Sequence, residues 1–133
     1  MPGVLEKLNA TIEKLRSMGI KRVFVVGQVP IWKKPLYKIL IGGSWDKIPE
    51  RTFTGITDVF EVDTAIEESI AGHGAEYVQV MDRLCNSEGC LTLVGGDIAT
   101  DLTTFDDGHL TDSASDYIAR AVLGPAVLKA FSK

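Results

Sequence analysis

The sequence predicts an α/β fold in which amphipathic helices pack against a parallel sheet, and three observations predict it. The short apolar run around Phe24 lacks the polar alternation of a half-solvated strand, as strands covered on both faces do, and a second strand is read around Tyr77, Val78 and Val80. Each of the two follows a segment with apolar residues at helical spacing and glycines at its end. The makeup, 45% apolar and 24% charged over 133 residues, is that of one ordinary globular domain or part of one.

The first helix falls at about residues 4–18. Leu5, Leu8, Ile12 and Leu15 form one stripe, Glu6, Lys7, Glu13, Lys14 and Arg16 lie elsewhere, and Gly19 supplies the stop. A buried strand follows over 21–27. Residues 28–55 are the least regular: Pro30, Pro35 and Pro49 interrupt any element, and 36–41 has room for one or two helical turns. This stretch begins at the carboxyl end of a buried strand, where open α/β sheets bind ligands.

Helical spacing returns over 59–71, with Val62, Ile66 and Ile70 aligned and Gly72 and Gly74 closing the segment. A second strand is expected over 75–81, then a loop over 85–96 with a short edge strand at 91–94, then more loop over 97–109. The last helix runs over 113–123, with Ser113 and Asp116 in capping-box spacing. Gly124-Pro125 is read as its break, before a final turn or two carrying Val127, Leu128 and Phe131.

No repeat or linker divides the chain, so residues 1–133 are read as a single, partial domain. Two strong strands offer little sheet for three amphipathic helices to cover. The chain therefore reads as the carboxyl-terminal part of a larger α/β domain, or as one that pairs with another chain. Its exposed sheet edge predicts a homodimer, strand exchange or association with a missing amino-terminal part.

Charge and hydropathy narrow the function. Fourteen Lys and Arg against eighteen Asp and Glu give a net charge of −4, and the pI is near 5.1, which argues against a nucleic-acid partner. No apolar run approaches the length of a membrane span, and the opening residues lack a signal peptide's basic cluster and apolar core.

The most informative stretch is Phe105-Asp106-Asp107-Gly108-His109-Leu110-Thr111. An Asp three residues before a His, in a loop leading into a helix, can fold back within one turn. The Asp106 carboxylate then accepts the Nδ1 proton of His109, leaving Nε2 to take a proton from a hydroxyl nucleophile. The same residues also suit a solvated turn with no chemical role.

The tail Asp106-x-x-His109-Leu110-Thr111 before a terminal helix resembles the last block of the SGNH hydrolase superfamily, which supplies the Asp and His of a Ser-His-Asp triad. Val23-Phe24-Val25-Val26-Gly27-Gln28-Val29-Pro30, with Trp32 beyond, looks like a segment of one branch of it. That branch is the SGNH domain fused to the carboxyl end of bacterial membrane acyltransferases that O-acetylate lipopolysaccharide and other surface polysaccharides. The resemblance covers about residues 5–121. It implies a three-layer, SGNH/flavodoxin-like parallel sheet, here its carboxyl-terminal part. It also implies a parent enzyme on the periplasmic side of the inner membrane, with a glycan or acyl ester as substrate and no cofactor.

The departures matter equally. The superfamily's nucleophile lies in an amino-terminal Gly-Asp-Ser block, and further blocks give an oxyanion-hole Gly and Asn; none has a counterpart here. Ser44 follows Gly42-Gly43 but sits in a Pro- and Trp-rich loop, not on a strand-to-helix turn, and Ser113 and Ser115 read as helix-capping residues. No nucleophile is assigned. An Asp–His dyad alone should have little or no esterase activity, since losing one oxyanion donor already costs on the order of 10² to 10³ in rate.

The branch often carries a short Cys-bounded loop before this block, as Cys85-Asn-Ser-Glu-Gly-Cys90 does here. A disulfide across it is sterically reasonable and would fit an oxidising compartment. Two reduced thiols are the alternative. A metal site with His73 and His109 fits no common zinc spacing, so no metal is assigned. His73, between Gly72 and Gly74, reads as a surface turn residue. Trp32 and Trp45, with Tyr37, Lys33, Lys34 and Lys38, offer a sugar-stacking or anionic-glycan surface at the site's rim, or else the aromatics pin a loop to the body of the domain. Asp97, Asp101, Asp106, Asp107 and Asp112 do not follow a calcium-loop pattern. Two other readings compete with the acyltransferase: a non-catalytic binding module on the same scaffold, and an unrelated flavodoxin-like domain in which the Asp-x-x-His spacing is coincidence.

Overall fold

The computed structural model describes residues 2–132. Helix α1 (Pro2–Ser17) leads into strand β1 (Phe24–Val26). After α2 (Leu36–Gly42) and the two-residue strand β2 (Arg51–Thr52), helix α3 (Val59–Ile70) leads to β3 (Glu76–Val78). Strands β1 and β3 pair in parallel, Phe24 opposite Glu76 and Val26 opposite Val78. Residues 27–75, with α3 among them, therefore form the crossover that a parallel pair requires. The buried Ile12 of α1 and a hydrogen bond from Asn9 Nδ2 to Ser69 Oγ (3.0 Å) hold α1 beside α3.

The buried strand expected over 21–27 is only three residues long. None of the three is buried, Val26 being 51% exposed, because a two-stranded sheet leaves its faces partly uncovered. The later elements depart further. The strand placed at 75–81 stops at Val78, and Val80 leads into a short helix, α4 (Met81–Leu84). A hairpin follows, β4 (Cys85–Asn86) and β5 (Gly89–Leu91). The strand expected at 91–94 thus lies at 89–91, and it is no edge: the antiparallel order is β2-β5-β4, with β5 central and all three of its residues buried. Gly89 has φ +131, and a Cβ there would come within 2.7 Å of three Thr52 backbone atoms, so only glycine lets β2 close on β5.

Gly124-Pro125 does not break the last helix. Helix α5 (Asp112–Ile118) widens into a π-helical turn at Ala119–Leu123 and continues as α6 (Gly124–Phe131). The Gly124 N–H bonds to the Ala119 carbonyl five residues back, and Pro125, which has no N–H to give, follows directly where the helical register changes. The main core gathers Trp32, Leu36, Leu40, Val59, Met81, Leu84 and Ile118 between the loop after β1 and the terminal helices. Among the described residues no helix is long and apolar enough to cross a membrane.

Candidate active site

Buried threonines carry the chain from the hairpin to the Asp106 loop. Thr92 follows β5; its N–H donates to the Glu50 carbonyl (2.8 Å) and its hydroxyl to the Pro49 carbonyl (2.5 Å). Thr103 lies against it, its N–H on the Thr92 carbonyl and its hydroxyl on the Leu91 carbonyl, both at 2.9 Å. The Thr104 hydroxyl donates to the Asp106 carbonyl at 3.0 Å. All three side chains are buried, because each hydroxyl finds a backbone acceptor. From the other side, the N–H groups of Trp32 and Leu36 donate to the carbonyls of Asp107 (2.7 Å) and Asp106 (3.2 Å). The loop is thereby anchored to the segment that leaves the carboxyl end of β1.

Within it, Asp106 folds back on itself. Its Oδ1 accepts the backbone N–H of Gly108 (2.9 Å) and of His109 (2.7 Å), while Oδ2 lies 2.6 Å from His109 Nδ1. The Gly108 N–H first and the His109 N–H second hold the Asp106 carboxyl down at about 2, with the imidazole adding to the effect. An ionised carboxylate has no proton to give, so Nδ1 is the donor in this contact. In the neutral ring Nε2 then keeps its lone pair, and 76% of the side chain is open to solvent. Phe105 lies nearly parallel to the imidazole, ring centroids 5.8 Å apart and planes 18° apart. Helix α5 starts just beyond, capped by Thr111, whose hydroxyl accepts the Ala114 N–H at 3.1 Å.

The other expected residues divide. Trp32 is only 1% exposed and belongs to the core, so it has no face for a sugar; its position between α2 and the Asp106 loop, not its aromatic chemistry, decides this. Trp45 is half-buried, its indole N–H bonded to the Leu40 carbonyl (2.9 Å) and its ring packed over Gly43, as a loop-pinning residue is. Lys33, Lys34 and Lys38 are exposed. Cys85 and Cys90 are joined in a disulfide directly across the β4–β5 hairpin, so neither is a free thiol. Ser113 does not cap α5: Thr111 takes that position, and the Ser113 hydroxyl donates to Asp101 Oδ1 (3.0 Å). Ser115 and Ser44 are exposed. His73 is more than a turn residue, since its Nδ1 lies 2.6 Å from Glu13 Oε1 and ties the end of α3 to α1.

The sequence alone assigns no role to Phe105, Thr92, Thr103, Thr104 or Asp63. Asp63 is 5% exposed on α3, where Oδ1 accepts the Gln28 N–H (3.0 Å) and the Tyr77 hydroxyl, and Oδ2 accepts Gln79 Nε2 (2.9 Å). It thereby clamps the carboxyl ends of β1 and β3. Burial, then the Asp63 hydrogen bond and charge, push the Tyr77 hydroxyl well above the usual phenol range. A signal existed: Val59, Asp63, Ile66 and Ile70 recur at helical spacing, placing a carboxylate on the apolar stripe.

The family model for SGNH domains fused to AT3 domains matches residues 3–124. Among solved structures, the chain is similar to the periplasmic domain of a lipopolysaccharide acetyltransferase from Salmonella ser. Paratyphi A, with a TM-score of 0.81 and 30% identity. The match covers 91% of this chain and 48% of that one, so the chain spans about half the length of the solved domain. No curated protein matches. The parallel sheet, the crossover arm and the terminal helices are thus those of an SGNH-like α/β fold.

Proposed function

The chain belongs to the family of SGNH domains fused to AT3 domains, and on that premise we propose that it is the carboxyl-terminal portion of an acyltransferase or esterase domain acting on O-acetyl groups of cell-surface polysaccharide. Its contribution is the Asp106–His109 part of a Ser-His-Asp triad. The observation that carries this reading is the 2.6 Å contact between the Asp106 carboxylate and Nδ1 of a largely exposed imidazole. A coincidental Asp-x-x-His spacing would not require the two side chains to meet.

In this reading His109 Nε2 accepts the proton of a serine hydroxyl as its oxygen attacks the acyl carbonyl. The imidazolium so formed hands that proton to the departing oxygen, leaving an acyl-enzyme. The acceptor hydroxyl, a sugar's in transfer or water's in hydrolysis, then loses its proton to Nε2 as it attacks, and the serine takes the proton back. Asp106 stays ionised throughout, fixing the tautomer and stabilising the imidazolium. The serine and the oxyanion donors come from outside this chain. Among the described residues no hydroxyl is hydrogen-bonded to the His109 ring. The disulfide and the solved relative's location support a periplasmic setting.

The test is hydrolysis of p-nitrophenyl acetate. The chain alone is expected to show no turnover beyond that of free imidazole, and the longer domain carrying the serine is expected to lose its activity in His109→Ala. Robust turnover by the chain alone, abolished in His109→Ala, would overturn the incomplete site. Full activity of the longer domain without His109 would overturn the role of the dyad.

A further inference from the structure

We propose that Phe105 is a positioning residue for His109, steadying the imidazole so that Nε2 faces outward while Asp106 holds Nδ1. This rests on the reading of His109 as the base. The ring turns about its Cβ–Cγ bond, and with most of the side chain exposed the Asp106 contact at Nδ1 is the polar restraint on that rotation. The nearly parallel Phe105 ring closes off one side of that swing, with centroid spacing inside the range of favourable offset stacks.

The backbone builds the juxtaposition. Phe105 N–H donates to the His109 carbonyl (3.1 Å), and Thr104 and Leu110 form an antiparallel bridge. Residues 105 and 109 thus face each other across the neck of the loop, while Asp106 fills the turn between them. Burial does not explain the phenylalanine, because 61% of it is exposed. A large apolar side chain left outside the core and laid along a histidine ring has that ring as its partner.

The experiment uses nuclear magnetic resonance on the 133-residue chain and its Phe105→Ala, Phe105→Leu and Phe105→Tyr variants. Long-range proton–nitrogen spectra report which ring nitrogen of His109 carries the proton, and the Gly108 and His109 amides report the turn. A stack of this kind biases a two-state equilibrium roughly 2- to 10-fold. The ratio of Nδ1–H to Nε2–H forms should fall by about that factor in Phe105→Ala and Phe105→Leu and recover in Phe105→Tyr, with the amides unmoved. An unchanged ratio in Phe105→Ala would overturn the proposal. So would loss of the turn amides along with the ratio, since Phe105 would then be building the loop and not holding the ring. Because the readout is ring geometry and not turnover, a catalytically idle His109 would leave these spectra as they are.

Discussion

Both oxygens of Asp106 are engaged, and differently: Oδ1 closes the turn through two backbone N–H groups while Oδ2 holds the imidazole. Two substitutions separate these tasks. Asp106→Asn can keep the turn through its carbonyl oxygen but offers an amide donor to Nδ1, which forces the proton to Nε2. In the longer domain it should lower turnover by on the order of 10⁴ with the Gly108 amide shift retained. Asp106→Ala should lose the turn amides as well. The acid response follows in sign. A carboxyl lowered from 3.8 to about 2 stabilises the loop above its ordinary range, and that stability is lost as pH falls from about 4 through about 2. Gly108 and His109 amide shifts followed across that window should move with Asp106. At Asp63 the prediction is one of stability: Tyr77→Phe removes a hydroxyl donor from a buried carboxylate and should cost about 1.5–3 kcal/mol in chemical denaturation. Because the Tyr77 hydroxyl is raised, its contribution is intact below the usual phenol range and is lost as pH climbs past it, so the variant should lack that part of the alkaline loss.

Among the elements, the β4–β5 hairpin links the small antiparallel sheet to the site, since β5 leads through Thr92 and Thr103 to the Asp106 loop. Its disulfide closes a loop of sequence separation 5, and loop-closure entropy at that length is worth roughly 2 kcal/mol. Cys85→Ala with Cys90→Ala, which adds no buried hydroxyl, should lower the unfolding free energy by about that much or somewhat more, and reducing agent should destabilise the wild type but not the variant. The hairpin also shows where the sequence stops being legible. Helices α1 and α3 follow from periodicity, β1 from an unbroken apolar run, β3 from Tyr77 and Val78, and the Asp106–His109 contact from a spacing of three, because each signal is local. Strands of two or three residues are too short for a period, and β2 pairs with a β5 that is far along the chain, so nothing near Arg51 announces Leu91 as its partner. Thr92, Thr103 and Thr104 read as loop because their hydroxyls are polar; they are buried because backbone carbonyls accept those hydroxyls. Trp32 and Trp45 look alike in a proline-rich stretch, and only the packing of α2 separates core from loop pin. Pro125 reads as a stop under the rule for α-helices, which a π-helical turn evades.

For the whole molecule, the question is what covers the surface that two parallel strands and the last helix leave open. Val26 on β1 is 51% exposed, and on α6 Leu128 is 71% and Phe131 70% exposed, with the Arg22 guanidinium 6.0 Å from the Phe131 ring centre linking the helix to the start of β1. Leu128 and Phe131, three residues apart on one face of α6, form an exposed apolar patch, and such patches mark contact surfaces more often than idle ones. We propose that in solution a second copy of the chain meets this face. Sedimentation should then show a concentration-dependent dimer, and Leu128→Glu with Phe131→Glu should render it monomeric. At concentrations where the wild type is dissociated, the unfolding free energy should stay within about 0.5 kcal/mol, because both side chains are already solvated in the isolated fold. A wild-type chain that stays monomeric at high concentration would remove the second copy from this face. A dimer that survives both glutamates would move the contact elsewhere, to the unpaired edge of β1 or β3, where extension of the sheet needs backbone groups and no apolar side chain at all.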